Sequence, residues 1–318
     1  MKQFMALFKK VGGKNVLAQY LRGHVLLFAL VQTALMGFSK KSLEIVRLAV
    51  QQKIVCKLRK KYRRFIAEYV HAHPQPEKKI SCPSDVIWTC WFQGLEAAPE
   101  IVKKCNRSLE AHITGKQIRV ITLENYREYV QLPDYVEEKY AKGVIGPAHF
   151  SDLLRLELLT THGGTWIDST VLCTSAQIPD YMLDGPLFLF QTLKPGLDGH
   201  PTAISNWFMT AQADSSILNL TRALLHDYWK KHDHVVDYFI FHIFFQLATE
   251  AYPQEWKRVV PCTNEAPHSL LLRLFEPYDE QVYQGILTQS CFHKLTYKHT
   301  PEQAQGKNTY YAHLMKGQ

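Results

Sequence analysis

The sequence predicts an α/β protein: a domain with a mostly parallel central sheet, preceded by an α-helical N-terminal segment. Three observations predict it. Between Asp85 and Leu123 a short apolar run, a helical stretch and a second apolar run follow one another as a βαβ unit, whose right-handed crossover makes the two strands parallel. Residues 1–64 carry 15 Lys and Arg against the single acid Glu44, a net +14, which leaves −6 for the remainder of a chain whose total is +8. A breaker-rich stretch, "HPQPEKKISCPSD", separates the two regions. The division expected is therefore a basic helical segment over 1–72, a linker over 73–84 and the main domain over 85–318.

Taken in order, the apolar run Val25–Phe38 comes after Lys9, Lys10, Lys14 and Arg22 and superficially resembles a signal peptide. Gln32 and Thr33 interrupt it, Lys40 and Lys41 come directly after it, and no small-residue cleavage site is evident. Its 14 residues are short of the roughly 20 that span a bilayer. From Ser42 to His71, Leu43, Val46, Val50, Ile54, Leu58, Phe65 and Tyr69 recur every three or four residues with bases between them. That is an amphipathic helix with a cationic face. It has two readings, which are compatible: the apolar stripe packs on the main domain, or the segment attaches to an anionic lipid surface.

In the main domain "DVIWTCW" and "QIRVITL" read as strands around the helix "APEIVKKCNRSLEAH". Helical pieces come next, at Glu124–Val130, Asp134–Lys142 and Pro147–Thr161. "GPLFLFQ" and "NWFMTAQ" read as strands, and "SSILNLTRALLHDYWKKH" and "DYFIFHIFFQLATEAY" as helices, the latter apolar nearly all round and so buried. The seven cysteines are odd in number and never spaced CxxC, which argues against a zinc module or disulfide framework and for a reducing cytosol. Because the basicity belongs to the N-terminal segment, nucleic acid is not an expected partner.

The stretch "HFSDLLRLELLTTHGGTWIDSTV" concentrates the chemistry. Asp152 and Arg155 are three apart and share a helix face; alone, they would be a surface ion pair worth about 0.3 kcal/mol. Gly163 and Gly164 then end the helix, Thr165–Ile167 is a short buried strand, and Asp168 stands at its carboxyl end, where open α/β sheets bind ligands. A carboxylate accepts two hydroxyls, and a guanidinium presents a fork to paired oxygens. His242 sits on a very apolar helix, where a hydrogen-bonded core role is the ordinary one, and Asp237 is the expected N-cap of that helix. "HDH" (His232–His234) falls in a charged inter-helix loop and is not taken as a metal site.

"SDLLRLELLTTHGGTWID" resembles the SDxxRxxxLxxxGGxYxDxD signature of glycosyltransferase family 32, whose members have the GT-A nucleotide-sugar fold. "IWTCWFQGLEAAPEIVKKC", "GGTWIDSTVLCT", "DYFIFHIFF" and "HKLTYK" resemble its capsular polysaccharide synthesis branch, over roughly Pro83–Lys298. The resemblance implies a catalytic set of Asp152, Arg155 and Asp168, with Asp237 and His242 facing the cleft. It implies donor contacts from Trp88, Trp91, Gln93, Gly94, Gly163, Gly164, Trp166, Asn206 and Trp207, and diphosphate contacts from His293, Lys294 and Lys298. Mn²⁺ or Mg²⁺ is implied as cofactor, on Asp168 with His293 as a further ligand. Here the sequence departs from the pattern: the second DxD acid is Thr170.

The same resemblance implies a hexosyltransferase using a nucleotide-diphosphate sugar, UDP-linked in the first instance, and transferring with retention. Its acceptor would be a growing capsular polysaccharide, exopolysaccharide or lipid-linked oligosaccharide. Residues 1–72 would hold it peripherally on the cytoplasmic face of the plasma membrane. The rival is a catalytically impaired GT-A-like protein that serves as a membrane or nucleic-acid binding module, kept open by Thr170 and by the +14 segment.

Overall fold

The computed structural model describes residues 13–75, 84–192 and 200–316. The bases before Gly13 and most of the linker, Cys82 included, lie outside the described residues. The N-terminal segment forms three helices, α1 (Gly13–Arg22), α2 (Leu26–Met36) and α3 (Lys40–Ala72). Helix α3 starts where the Ser39 hydroxyl accepts the Ser42 N–H at 3.0 Å. Its stripe of Val46, Val50, Ile54, Leu58 and Tyr62 is buried, as the spacing requires. The bases between these positions stay outside. No helix of the described residues is long and apolar enough to cross a membrane.

The central sheet has the order β2-β1-β3-β6-β5, from strands β1 (Val86–Cys90), β2 (Gln117–Ile121), β3 (Gly164–Ile167), β5 (Leu187–Gln191) and β6 (Ile204–Ala211). Strand β1 pairs in parallel with β2, through the crossover helix α4 (Glu100–His112), and with β3. Strand β6 is antiparallel to both β3 and β5, so four of the five strands run one way. This agrees with the expected mostly parallel sheet. Two short strands without a pairing signal in the sequence, β4 (Val171–Cys173) and β7 (Phe292–Lys294), make a separate antiparallel ribbon. That ribbon carries residues from the far end of the chain to the end of β3.

Both faces of the sheet are buried, and the two-residue period of a strand sorts its side chains between them. Trp88, Trp166, Leu187, Leu189 and Met209 join one core with α3, α6 (Pro147–His162), α8 (Ser216–Lys231) and α9 (Ile240–Ala251). Ile87, Ile167, Phe188, Phe190 and Phe208 join a second core on the opposite face, with Leu109 and Phe292. The N-terminal segment belongs to the first core. Tyr62 meets Phe244 of α9 edge-on at 5.0 Å, and Arg59 reaches both oxygens of Glu250 at 2.9 and 2.7 Å.

Helix α5 (Asp134–Ala141) and the four-residue α7 (Asp180–Leu183) complete the main framework, with further helices between Pro253 and Lys316. Two local expectations are revised. Glu124–Val130 forms only a 3₁₀ turn, at Tyr126–Glu128. Asp237 is not the N-cap of α9, which begins at Ile240 with Phe239 in the cap position; Asp237 Oδ1 instead accepts the Phe239 N–H at 2.7 Å and closes the preceding turn.

Candidate functional site

Helix α6 ends at Gly163, and Gly164 opens β3, both with positive φ (+66° and +98°). A Cβ on Gly164 would stand 2.3 Å from the Val86 carbonyl oxygen, so the residue must be glycine for β3 to lie against β1. The Trp88 indole N–H donates to the Gly163 carbonyl at 2.9 Å and ties the same turn to β1. These three residues hold the strand in place, and Asp168 lies four residues beyond Gly164, roughly 13 Å along an extended chain. They frame the site from its far end and do not line it.

At the carboxyl end of β3, Asp168 is met from four directions. Trp166 Nε1 donates to its Oδ1 at 2.9 Å, and Arg155 Nη2 approaches the same oxygen at 3.4 Å. Lys294 Nζ, from β7, donates to Oδ2 at 2.9 Å and to Thr170 Oγ1 at 2.6 Å. The Asp168 backbone N–H donates to the Trp207 carbonyl at 2.8 Å. Burial alone would push the carboxyl up; the Lys294 ammonium and the Arg155 guanidinium outweigh it and hold it below the usual carboxylate value, helped by the Trp166 and Lys294 hydrogen bonds. Asp168 is therefore an anion fixed in direction.

Arg155 links this group to a second acid. Its guanidinium lies over the Trp166 ring at 4.7 Å, donates to the Asn206 carbonyl and stands 3.7 Å from Asp152 Oδ1. Asn206 Nδ2 donates to that same Asp152 oxygen at 2.8 Å. On the other oxygen, His149 Nδ1 approaches at 3.7 Å, too long for a hydrogen bond. Neither His149 nor Tyr238 was among the residues expected at the site. His149 could have been found, since it precedes Asp152 by three on the same helix face; Tyr238, whose exposed ring lies 5.6 Å from that of His149, comes from a loop and left no periodic signal.

Three buried nitrogens around Asp152 have no hydrogen-bond partner: Arg155 Nε, His149 Nδ1 and His242 Nδ1. His242 comes from α9 and lies close enough to Asp152 and Arg155 to feel both charges, while burial pushes its pKa down to about 4. Buried polar atoms are ordinarily paired, so a concentration of unpaired ones marks a place built for something else. Asp237 is turned toward the N-terminal helices, where the Gln51 side chain hydrogen-bonds to it, and burial raises its pKa.

The remaining expected residues separate by strand face. Trp207 stacks on Phe190 at 4.6 Å and donates to Asn264 Oδ1 at 2.8 Å, inside the second core. His293 and Lys294 are neighbours on β7 and so point to opposite faces. Lys294 reaches Asp168, whereas His293 is wholly buried, 3.2 Å from Thr174 Oγ1, with its pKa pushed down to about 4 by burial. Trp91 lies edge-on to Tyr297 at 5.1 Å, Gln93 is exposed, Gly94 has open space about it, and Lys298 is exposed beside the Tyr297 ring.

A divalent cation of the Mg²⁺ or Mn²⁺ kind asks for several oxygens and little competing charge. Around Asp168 the donor set is one carboxylate and one hydroxyl, and Lys294 Nζ is bonded to both. Among the described residues no three His, Cys, Asp or Glu are grouped to hold a metal ion. In this arrangement the Lys294 ammonium holds the position between these two oxygens, and Asp168 is the carboxylate that would hold a divalent ion together with substrate phosphates.

No curated protein matches the chain. Among solved structures, the PaToxG glycosyltransferase aligns over 85% of this chain and 97% of that one, with 15% sequence identity and a TM-score of 0.37. The profile of the capsular polysaccharide synthesis protein family matches residues 36–314, from the end of α2 through α9 and β7 to the last helix. The chain belongs to the capsular polysaccharide synthesis protein family.

Proposed function

We propose that this member of the capsular polysaccharide synthesis family is a glycosyltransferase, moving a sugar from a nucleoside-diphosphate donor to a glycan acceptor. One observation carries the reading: Asp152, Arg155, Asp168 and Lys294, from a helix, a strand end and a distant ribbon, converge around buried nitrogens that lack partners. Two anchored carboxylates suit the hydroxyls of a sugar or ribose, since each keeps lone pairs free beyond those already engaged. Two cations beside them suit a diphosphate. As the glycosidic bond breaks, negative charge grows on the leaving phosphate, and Lys294 and Arg155 are oriented in advance to meet it. In this reading Lys294 supplies the counter-charge that a divalent ion would otherwise provide.

The finer points belong to the same proposal: a UDP-sugar donor, retention at the anomeric carbon, a polysaccharide or lipid-linked acceptor, and peripheral association of residues 1–72 with an anionic membrane face. The test is a panel of UDP-, GDP- and CMP-sugars offered to the purified full chain, measuring donor binding and nucleotide release with and without acceptor glycan. Saturable binding and turnover of one donor is expected. A folded protein that binds none of them would leave the rival reading, a binding module without catalysis.

A further inference from the structure

A second concave site lies away from Asp168, between the N-terminal helices and the loop after α8. It is a cavity of about 470 Å³, with Ile54, Leu58, Tyr228 and Val236 as its apolar wall. Its other lining side chains are Arg22, His24, Lys57, Lys61, His232 and His234, and none of the lining residues is acidic. Lys57 is committed: its Nζ donates to the Gly23 and His24 carbonyls at 2.7 and 3.3 Å and pins the α1–α2 turn. That turn also holds His24 at φ +51°, in the left-handed region that side chains seldom adopt.

Arg22 and Lys61 supply the cavity's standing positive charge, and the carboxylates of Asp227 and Asp233 lie close enough to act on His232 and His234 respectively. Lys61 Nζ is 2.8 Å from His232 Nε2, and His232 and His234 have ring centroids 5.7 Å apart. Burial first, then the charges of Lys61 on His232 and of Arg22 on His234, lower the pKa of both imidazoles. Each of these two acids also pairs with a lysine outside the cavity lining, Asp233 with Lys139 at 2.8 Å and Asp227 with Lys231 at 2.6 Å.

The helices that meet at this turn carry bare apolar side chains. Leu17 and Leu21 of α1 and Leu27, Leu30, Val31 and Leu35 of α2 are exposed, Leu27 and Leu35 by more than three quarters. Leu27, Leu30, Val31 and Leu35 share one face of α2. An apolar face this continuous marks a contact surface, and the basic cavity beside it selects the kind.

We propose that α1 and α2 lie on an anionic lipid surface and that the Arg22–Lys61–His232–His234 cavity takes the phosphate of a lipid headgroup. The guanidinium and ammonium supply charge-assisted bonds to the phosphate oxygens, and the apolar wall accepts the first part of the chain. This deepens the membrane association proposed for residues 1–72, and it bears on the acceptor. The loop that lines the cavity through His232, His234 and Val236 continues directly into Tyr238, at the edge of the Asp152 group.

The experiment is co-sedimentation of the full chain with phosphatidylcholine vesicles, plain or containing a third phosphatidylglycerol, without donor or acceptor. Wild type should bind the anionic vesicles and not the plain ones. Arg22→Ala/Lys61→Ala should weaken that binding by about tenfold or more, and Leu27→Ser/Leu35→Ser should also weaken it. Lys60→Ala/Arg63→Ala, an equal loss of charge on the same helical segment outside the cavity, should change it by no more than about threefold. All four positions of the charge variants are exposed, and unchanged melting temperatures would confirm intact folds. Equal losses in the cavity and control variants would overturn the headgroup site in favour of diffuse attraction. Absence of vesicle binding by wild type would overturn the membrane reading itself, and binding of inorganic phosphate by a protein that ignores vesicles would assign the cavity to a soluble anion. Because no donor is present, none of these outcomes depends on the transferase reading.

Discussion

Asp168 and Lys294 stand 126 positions apart in the chain and 2.9 Å apart in space. If their pairing is the electrostatic centre of the site, Lys294→Met should lower donor turnover by about 10²-fold, the scale of losing one preorganised group, and added Mn²⁺ should not restore it. Steady-state nucleotide release, measured with chelator and with metal, checks this; recovery with metal would show a divalent site at Asp168. Asp152 and Asn206 are held to each other at 2.8 Å. Asn206→Ala should therefore raise KM more than it lowers kcat if Asp152 holds a donor hydroxyl in the ground state.

At the scale of elements, the turn from α6 to β3 decides whether Asp168 arrives at all. Gly164→Ala would drive a Cβ into the Val86 carbonyl at a backbone angle that L-residues avoid, so a loss of about 3 kcal/mol or failure to fold is expected. Gly94→Ala meets open space at a similar φ of +80° and should cost only about 1 kcal/mol. Denaturant unfolding of the two variants separates a close-approach glycine from one that is merely permissive. Much at this scale could be read from the sequence. The βαβ unit, the long basic helix and the Asp152–Asp168 stretch each carry a local signal in period or turn chemistry. The β4–β7 ribbon does not: three residues are too few for a period, and the pairing is fixed by contacts across the whole domain. Lys294 is suggested by resemblance alone, and its bond to Asp168 becomes visible only with that ribbon.

Across the whole molecule, the basic segment is part of the core. Tyr62 is buried between α3 and α9, and Tyr62→Ala should destabilise the entire fold by about 3 kcal/mol, seen as one shifted cooperative transition. Two independent transitions would indicate that the segment folds apart from the main domain. Buried His242 and His293, both lowered from 6.5 to about 4, make a global pH prediction. The unfolded chain takes up their protons first as pH falls, so stability drops between about pH 6.5 and 4, by on the order of 3 kcal/mol for each, and levels off below. His293→Gln should flatten that slope in thermal melts. Of the two readings of the basic segment, the packed one is seen directly: α3 buries its apolar stripe along its length in the first core. Only the fold shows which bases face solvent and which surround the cavity.

The most direct test is the rate of nucleoside diphosphate release from the preferred donor by wild type and by Asp168→Asn, each shown to be folded, in the presence of chelator. The expected result is measurable turnover by wild type and a loss of about 10²- to 10³-fold in the variant, which keeps the size of the side chain and removes its charge. Equal rates in the two proteins would contradict a transferase centred on Asp168.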